Sequence, residues 1–296
     1  MDAYLDALEK EMMQCEEWLA GKQMVSVYVG GGTPTSLSEE QFERLMAMTE
    51  KYLPMEQSKE FTVEAGRPDS ITEGKLRSMK IHGVTRISIN PQSMKEHTLE
   101  LLGRKHTVEE IREKFMLART LGFDNINMDL IAGLPEETLE DFKETLREVE
   151  ALKPDSITVH TLVIKRASRL RKEQLEQGGE MREEDACIEP MQKEAEQFCR
   201  VHGYEPYYMY RQKNKAHTTR NTNQENVAYA KPGKECLYNI FIMEELQSIL
   251  ALGSGGSSKI VFPEENRMER VENVKSVDDY IGRIDEMIRR KKESWR

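Results

Sequence analysis

In the stretch Val25-Ser-Val-Tyr-Val-Gly-Gly-Gly-Thr-Pro34, a β-branched apolar run leads directly into three glycines, a threonine and a proline. Consecutive glycines leave backbone N–H and C=O groups at the end of a strand accessible to a ligand. Residues 36–40, Ser-Leu-Ser-Glu-Glu, then offer several caps for a new helix. A tight turn without a ligand remains the alternative, but three glycines in a row exceed what a turn requires.

Short β-branched runs alternate with longer helical stretches along the first half of the chain. The predicted strands are Val25–Val29, Phe61–Ala65, Arg86–Asn90, Asn125–Ile131 and Ser156–Leu162. The predicted helices lie near residues 2–20, 38–52, 72–82, 95–102, 107–121 and 137–152. Such alternation indicates an α/β fold with parallel strands, outer helices and ligands at the carboxyl ends of the strands.

The pattern changes after residue 165. Residues 1–165 are predicted to form a partial parallel (β/α) barrel, and residues 166–296 a C-terminal α+β region. The second region begins with a charged helical stretch at 168–202, continues with a Tyr-rich strand at Tyr204–Arg211, and ends with a basic helix at 277–293.

Charge and composition limit the possible partners. The 296 residues include 43 Lys+Arg and 53 Asp+Glu, a formal net charge of −10, which argues against nucleic-acid binding as the main function. Residues 1–10 form an acidic amphipathic helix rather than a signal peptide, and no run is long enough to span a membrane, so we expect a cytoplasmic protein. Cys15, Cys187, Cys199 and Cys236 are far apart and lack metal-binding spacing.

Polar side chains stand at the predicted carboxyl ends of several strands. Glu64, Gln92 and Asp129 follow or end three of them, and Arg104 lies one helix further along. In a single barrel these groups would converge above its mouth, opposite the glycine backbone, where they suit a zwitterion with a ribose. A solvated strand end or a helix cap is the alternative for each carboxylate taken singly.

Five stretches resemble the oxygen-independent coproporphyrinogen III oxidases. They are Val27-Tyr-Val-Gly-Gly-Gly-Thr-Pro-Thr-Ser-Leu37, Glu60-Phe-Thr-Val-Glu-Ala65, Gly83-Val-Thr-Arg-Ile-Ser-Ile-Asn-Pro-Gln92, Gly122-Phe-Asp-Asn-Ile-Asn-Met-Asp-Leu-Ile-Ala-Gly-Leu-Pro135 and Tyr229-Ala-Lys-Pro-Gly233. Glu-Ala-Gly-Arg-Pro-Asp69 and Lys165-Arg-Ala-Ser168 are similar to the coproporphyrinogen dehydrogenase branch of that radical S-adenosylmethionine (SAM) family. The resemblance runs in order over nearly the whole chain.

The resemblance implies a partial barrel of radical SAM type, with SAM and a [4Fe–4S] cluster as cofactors. It implies that SAM is bound by Gly31, Gly32, Thr33, Glu64, Gln92, Arg104, Asp129 and the backbone near Val163. These residues would form sites for one or two SAM molecules.

The cluster ligands of the family are absent from this sequence. Family members hold the cluster with a CxxxCxxC motif after the first strand, and no such motif occurs here. Helix 2–20 resembles the segment just after that loop, so the first βα unit is expected to be missing and Val25–Val29 to be an edge strand. Cys15 alone cannot replace three ligands, so no metal site is predicted. We therefore expect that this sequence is a fragment or that its start has been misplaced, with a cluster-less paralogue as the alternative. The chain as given should bind SAM weakly and should not cleave it.

For a complete enzyme the resemblance implies oxidative decarboxylation of coproporphyrinogen III to protoporphyrinogen IX, with flavodoxin or ferredoxin as electron donor. Two propionate side chains would each lose a hydrogen atom, carbon dioxide and an electron to become vinyl groups. A tetracarboxylate substrate requires cations. Arg166 and Arg169 follow the fifth predicted strand and Arg211 ends a Tyr-rich run, so these arginines are the predicted substrate residues. A solvated basic helix start is the alternative.

Two other function classes stay open. A cluster-less relative would carry haem through His160, His202 or Cys199, although each residue also fits an ordinary structural role. A SAM-dependent or aldolase-type barrel enzyme without radical chemistry would need a lysine within a strand or a nucleophile–base pair. None of the five predicted strands contains such a lysine.

Overall fold

The computed structural model describes residues 1–162, 183–211, 225–245 and 247–295. Its strands are β1 (Ser26–Val29), β2 (Glu60–Gly66), β3 (Arg86–Ile89), β4 (Ile126–Ala132), β5 (Ser156–Thr161), β6 (Glu205–Arg211), β7 (Glu225–Ala230), β8 (Ser257–Phe262) and β9 (Arg267–Glu272). Its helices are α1 (Asp2–Met12), α2 (Cys15–Trp18), α3 (Glu39–Tyr52), α4 (Glu73–Ile81), α5 (Glu96–Leu101), α6 (Val108–Thr120), α7 (Leu139–Leu152), α8 (Glu183–Val201), α9 (Leu237–Glu244), α10 (Val277–Gly282) and α11 (Ile284–Ser294).

Seven strands form one mostly parallel sheet, in the order β1-β2-β3-β4-β5-β7-β6. Strand β1 pairs with β2, β3 with β4 and β4 with β5 in parallel, whereas β7 runs antiparallel to both β5 and β6. The α/β fold and all five predicted barrel strands are confirmed, and β1 ends the strand order among the described strands. The pairing of β6 and β7 with this sheet was not predicted, because the Tyr-rich strand was assigned to the C-terminal region.

The chain divides into two compact units. The first unit comprises Met1–Glu64, Thr72–Thr85 and Cys236–Arg296, and the second comprises Ala65–Ile71 and Arg86–Glu235. No helix within the described ranges is both long and apolar enough to cross a bilayer.

In the first unit, β1 and β2 form a parallel pair and β8 and β9 an antiparallel hairpin. One core cluster joins the hairpin to both tryptophans, and its buried members are Cys15, Trp18, Ile260, Val271 and Trp295. The predicted helix 2–20 is therefore divided into α1 and α2, because Cys15 and Trp18 turn into this cluster. The helix predicted at 277–293 is likewise divided, into α10 and α11.

In the second unit, helices α6 and α7 begin at capping boxes that their sequences specify. Thr107 and Glu110 exchange side-chain and backbone hydrogen bonds at the start of α6, as Thr138 and Asp141 do at the start of α7. Each helix turns an apolar face inward, with Phe115 and Phe142 almost fully buried. The loop between β4 and α7 is thereby fixed at the carboxyl end of β4.

Candidate functional site

The glycine loop, Gly30–Gly32, follows β1 in the first unit, and each of its positions favours glycine for a different physical reason. Gly31 and Gly32 adopt φ values of +81° and +68°, which favour glycine. Gly30 has an ordinary backbone, but a Cβ there would lie 2.4 Å from Tyr28 Cε1 and 2.8 Å from the Glu64 carboxyl carbon. The Tyr28 ring and the Glu64 carboxylate therefore occupy the space beside the loop.

Glu64, near the end of β2, contacts the glycine loop, whereas its convergence with Gln92 and Asp129 stays a prediction. Its Oε2 accepts a hydrogen bond from the Gly31 backbone N–H at 3.3 Å, and its Oε1 accepts one from the Tyr28 hydroxyl. The side chain is half-buried. Thr33, also half-buried, precedes the short helical turn Pro34–Ser36. The structure thus holds a carboxylate against exposed backbone, an arrangement suited to a cationic ligand group.

The loop after the glycines is fixed by Lys75, a residue that the sequence did not single out. Its ammonium group is buried and donates to the Thr35 carbonyl oxygen at 2.7 Å. Burial lowers the pKa of Lys75, against the opposing charge of Glu39. The strand spacing gave no signal for this contact, because the two residues are 40 positions apart.

Gln92 and Asp129 are brought together in the second unit. Gln92 adopts φ +70°, an uncommon backbone for a residue other than glycine. Its N–H donates to the Asp129 carbonyl oxygen at 3.0 Å, and its own carbonyl oxygen accepts from the Ile131 N–H at 3.0 Å. Such outliers persist where the surrounding structure enforces them, often at ligand sites.

The residues after Gln92 are fixed by a buried carboxyl group. Ser93 Oγ donates to Glu137, which is 3% exposed, and the Met94 N–H donates to Thr145 Oγ1 at 3.2 Å. Burial raises the pKa of Glu137, although hydrogen bonds from Ser93 and Thr98 oppose the shift. These hydrogen bonds fix the two residues that follow Gln92 and so hold its unusual backbone conformation in place.

Asp129 belongs to a polar chain across β3, β4 and β5. Its Oδ1 accepts from Asn127 Nδ2 at 2.7 Å, and its Oδ2 lies 3.6 Å from His160 Nε2. Asn127 Oδ1 accepts in turn from Ser156 Oγ at 3.0 Å, and Ser156 accepts from Arg86 at 3.1 Å. Burial raises the pKa of Asp129, but the neighbouring His160, Asn127 and Arg86 outweigh it, so the net shift is downward and the carboxylate stays ionised.

Arg104 lies in a second polar cluster of the same unit. Arg67 donates two hydrogen bonds to Asp69, at 3.0 and 2.9 Å, and the buried His106 ring lies 3.6 Å from that carboxylate. Burial, with the Arg104 charge, lowers the pKa of His106, which is therefore neutral at pH 7. Burial, with the Arg67 charge, also lowers the pKa of Arg104.

The Arg104 guanidinium forms no hydrogen bond or ion pair with any residue that the structure describes, although it is half-buried. A partly desolvated guanidinium that forms neither a hydrogen bond nor a close ion pair is an unusual arrangement, because burying a charge is unfavourable, and the charge of Asp69 offsets that burial only in part. The group is therefore suited to receive an anion such as a carboxylate.

Several predicted residues cannot be placed in this way. Val163, Arg166 and Arg169 lie outside the described residues. Arg211 ends β6, and only its backbone is described. Of the haem-ligand alternatives, Cys199 is fully buried and burial raises the pKa of its thiol to about 12, whereas His160 is the residue before the end of β5 and its side chain is 35% exposed.

The residues of the described ranges do not fit an iron–sulfur cluster. No group of three or more His, Cys, Asp and Glu side chains there could hold a metal ion. Cys15, Cys199 and Cys236 are buried, and Cys187 is half-buried. Burial raises the pKa of Cys15 to about 12, whereas a cluster ligand must be a thiolate.

Comparison with known proteins identifies the family. Residues 2–149 match the model of the radical SAM superfamily. The chain is 43% identical over 286 residues to an oxygen-independent coproporphyrinogen-III oxidase-like protein, HemZ, of Bacillus subtilis, covering 96% of this chain and 56% of that protein. It is 38% identical over 165 residues to the heme chaperone HemW of the same organism, covering 55% of this chain and 43% of HemW.

Structural comparison supports the same fold. Coproporphyrinogen III oxidase (HemN) from Escherichia coli, described as a radical SAM enzyme, aligns with a TM-score of 0.71 and 23% identity, over 97% of this chain and 63% of that one. The chain thus spans between about two fifths and two thirds of the lengths of these relatives. The match to the superfamily model, the glycine loop and the partial-barrel fold agree with one another. The chain therefore belongs to the radical SAM superfamily, in its coproporphyrinogen oxidase-like group.

Proposed function

We propose that this chain is the SAM-binding part of a coproporphyrinogen dehydrogenase-type protein, and that it binds SAM without cleaving it. The observation that carries the proposal is the half-buried Arg104 guanidinium, which forms no hydrogen bond or ion pair with the residues that the structure describes. SAM has a carboxylate that would pair with such a cation. Within the first unit, the Glu64 carboxylate beside Gly31 would receive the ammonium group of a SAM molecule.

The remaining predicted residues complete the proposed binding set. The backbone of Gly31, Gly32 and Thr33 is accessible for hydrogen bonding to the amino-acid end of SAM. Gln92 and Asp129 supply an amide and an ionised carboxylate suited to ribose hydroxyl groups. The backbone near Val163 is proposed on the family resemblance alone.

The proposed substrate of the complete protein is a porphyrinogen with several carboxylates. Arg166, Arg169 and Arg211 are proposed to pair with its propionates, because bidentate guanidinium–carboxylate contacts offset the desolvation of both charges. We derive no redox step for this chain, because its described residues do not fit the [4Fe–4S] cluster that supplies radical chemistry in the family.

Calorimetric titration with SAM tests the proposal. Glu64→Gln and Arg104→Met should each weaken binding by about tenfold to a hundredfold, since a hydrogen bond to a charged group contributes about 1.5–3 kcal/mol. Glu113→Gln on α6 and Lys105→Met, next to Arg104, remove exposed charges and serve as matched controls. Absence of saturable binding, or equal affinities for all five proteins, would contradict the proposal.

A second candidate function is haem binding through His160. Its favouring observation is that this imidazole is partly exposed at the carboxyl end of β5, and the relative HemW is named a heme chaperone. Haem titration should then give a Soret band that is lost in His160→Ala and kept in His202→Ala. A band that both variants retain would exclude His160 as the ligand.

A further inference from the structure

Four side chains of the first unit lie on one face of the β1–β2 pair. The parallel register places Tyr28 opposite Thr62. Because side chains alternate between the two faces of a strand, Glu60, Thr62 and Glu64 share a face with each other and with Tyr28. Two carboxylates and a phenol therefore follow one another along this face, with the glycine loop at its carboxyl end.

Tyr28 holds the Glu64 carboxylate in a single orientation. Its hydroxyl donates to Oε1, and the Gly31 N–H donates to Oε2 from the loop. An ionised carboxylate has about four lone-pair sites, and these two bonds use two of them. The contact with Tyr28 thus fixes the orientation of the Glu64 carboxylate.

The Tyr28 ring also packs against the ring of Tyr238. The two rings stack with centroids 4.3 Å apart and an interplanar angle of 22°. Tyr238 lies in the first turn of α9, an eight-residue helix. The stack therefore connects the start of this helix to the carboxylate at the glycine loop.

The start of α9 is fixed by the second carboxylate of the same face. Glu60, which is 5% exposed, accepts hydrogen bonds from the Leu237 N–H at 2.8 Å and from the Tyr238 N–H at 3.4 Å. The Cys236 thiol donates to it at 3.4 Å. A carboxylate at a helix N-terminus is favourable, so Tyr238 is anchored through its own backbone.

We propose that Tyr28 is a positioning residue for SAM, which orients the Glu64 carboxylate toward the ammonium group of the ligand while Tyr238 restrains the Tyr28 ring. This inference rests on the proposed SAM-binding function. A carboxylate that is already oriented loses less conformational freedom when the ligand binds, so affinity is higher than for a free side chain.

Calorimetry with two ligands distinguishes positioning from a general structural role. SAM has the ammonium group, whereas 5′-methylthioadenosine keeps the adenosine and sulfur but lacks the amino-acid end. Tyr28→Phe should weaken SAM binding by about tenfold, within the range for a hydrogen bond to a charged group, and leave methylthioadenosine binding unchanged. The Tyr238→Phe variant keeps the ring stack with Tyr28 and should bind SAM with unchanged affinity. The Tyr238→Ala variant loses the stack and should bind SAM more weakly.

A double-mutant cycle and a matched control complete the test. Tyr28→Phe should add nothing when Glu64 is already Gln, because the two residues act as one unit. Tyr52→Phe, which removes a hydroxyl bonded to Glu9 elsewhere in this unit, should leave SAM binding unchanged. Equal weakening of both ligands by Tyr28→Phe, or additive effects with Glu64→Gln, would overturn the inference while the proposed function stands. Failure of the unsubstituted chain to bind SAM would overturn both.

Discussion

The ammonium group of Lys291 donates a hydrogen bond to the carboxylate of Glu11, and neither side chain is exposed to solvent. Asn273 bridges the pair, accepting from Lys291 at 2.6 Å and donating to Glu11 at 3.0 Å. The Tyr280 hydroxyl donates to the second oxygen of Glu11 at 2.6 Å, as the Gly253 N–H does at 2.8 Å. This network joins α1 to α11 within the first unit.

Lys291→Met is expected to lower the free energy of unfolding by about 3–5 kcal/mol, because it leaves the Glu11 carboxylate buried without its cation. The double variant Glu11→Gln/Lys291→Met should recover part of that loss, since no buried charge remains. Urea denaturation followed by circular dichroism measures both. Lys292→Met, which removes a surface pair with Glu17, is the matched control. A similarly small change in the free energy of unfolding for both lysine variants would contradict a stabilising role of the buried Glu11–Lys291 pair.

His82 makes the stability of the first unit depend on pH. Its ring nitrogens lie 2.6 Å from Glu50 and 2.9 Å from Glu43. Burial lowers the pKa of His82, but these two carboxylates outweigh it, so the net shift is upward. Because the pKa of His82 is higher in the folded than in the unfolded chain, the protonated ring stabilises the fold. This contribution is fully present below the unfolded pKa of about 6.5 and is lost as the pH rises through the folded pKa.

The comparison with His82→Gln isolates this contribution. The difference in unfolding free energy between the unsubstituted chain and the variant should be largest near pH 6 and should shrink as pH rises above about 6.5. Urea titrations at several pH values measure it. A difference that stays constant, or grows with pH, would contradict the protonated bridge.

Much of the fold could be predicted from local sequence signals. The β-branched runs located β1 to β5 to within a few residues, and the glycines after β1 marked a loop whose contacts with Tyr28 and Glu64 require them. The β8–β9 hairpin was missed, although its sequence alternates and Asn266 at its turn adopts φ +47°. That signal is weak because most of its outward side chains are charged.

The site residues that escaped prediction depend on long-range contacts. Tyr28 meets Glu64 across 36 positions, and Arg86 meets Ser156 across 70. No spacing rule connects such pairs, because strand pairing and register bring them together. The convergence of Arg104 with Gln92 and Asp129 stays a prediction; the charged groups that the structure shows acting on Arg104 are Arg67 and Asp69.

Arg104→Met should raise stability while it lowers SAM affinity. Burial and Arg67 disfavour the charged guanidinium, and methionine keeps much of the aliphatic packing without the charge. Binding sites often trade stability for function in this way. We expect the melting temperature to rise by roughly 2–4 °C, equivalent to about 1 kcal/mol, in differential scanning calorimetry without ligand. A fall in melting temperature would show that the cation has a partner in the folded chain.

Arg166→Ala and Arg169→Ala should weaken porphyrin binding but not SAM binding. Each removes a proposed partner of a propionate, so the affinity for coproporphyrin III, a fluorescent stand-in for the porphyrinogen, should fall about tenfold or more. Fluorescence titration measures this, with Arg77→Ala, which removes an exposed arginine of α4, as control. Unchanged porphyrin affinity would favour the solvated-helix interpretation, and lost SAM binding would assign these arginines to SAM instead.

We propose above that this chain binds SAM but cannot cleave it. The most direct measurement is anaerobic incubation with iron, sulfide, dithionite and adenosine-labelled SAM, followed by chromatography of the label that stays with the protein. We expect retained label that is entirely intact SAM. Absence of retained label, or its recovery as 5′-deoxyadenosine, would contradict SAM binding without cleavage.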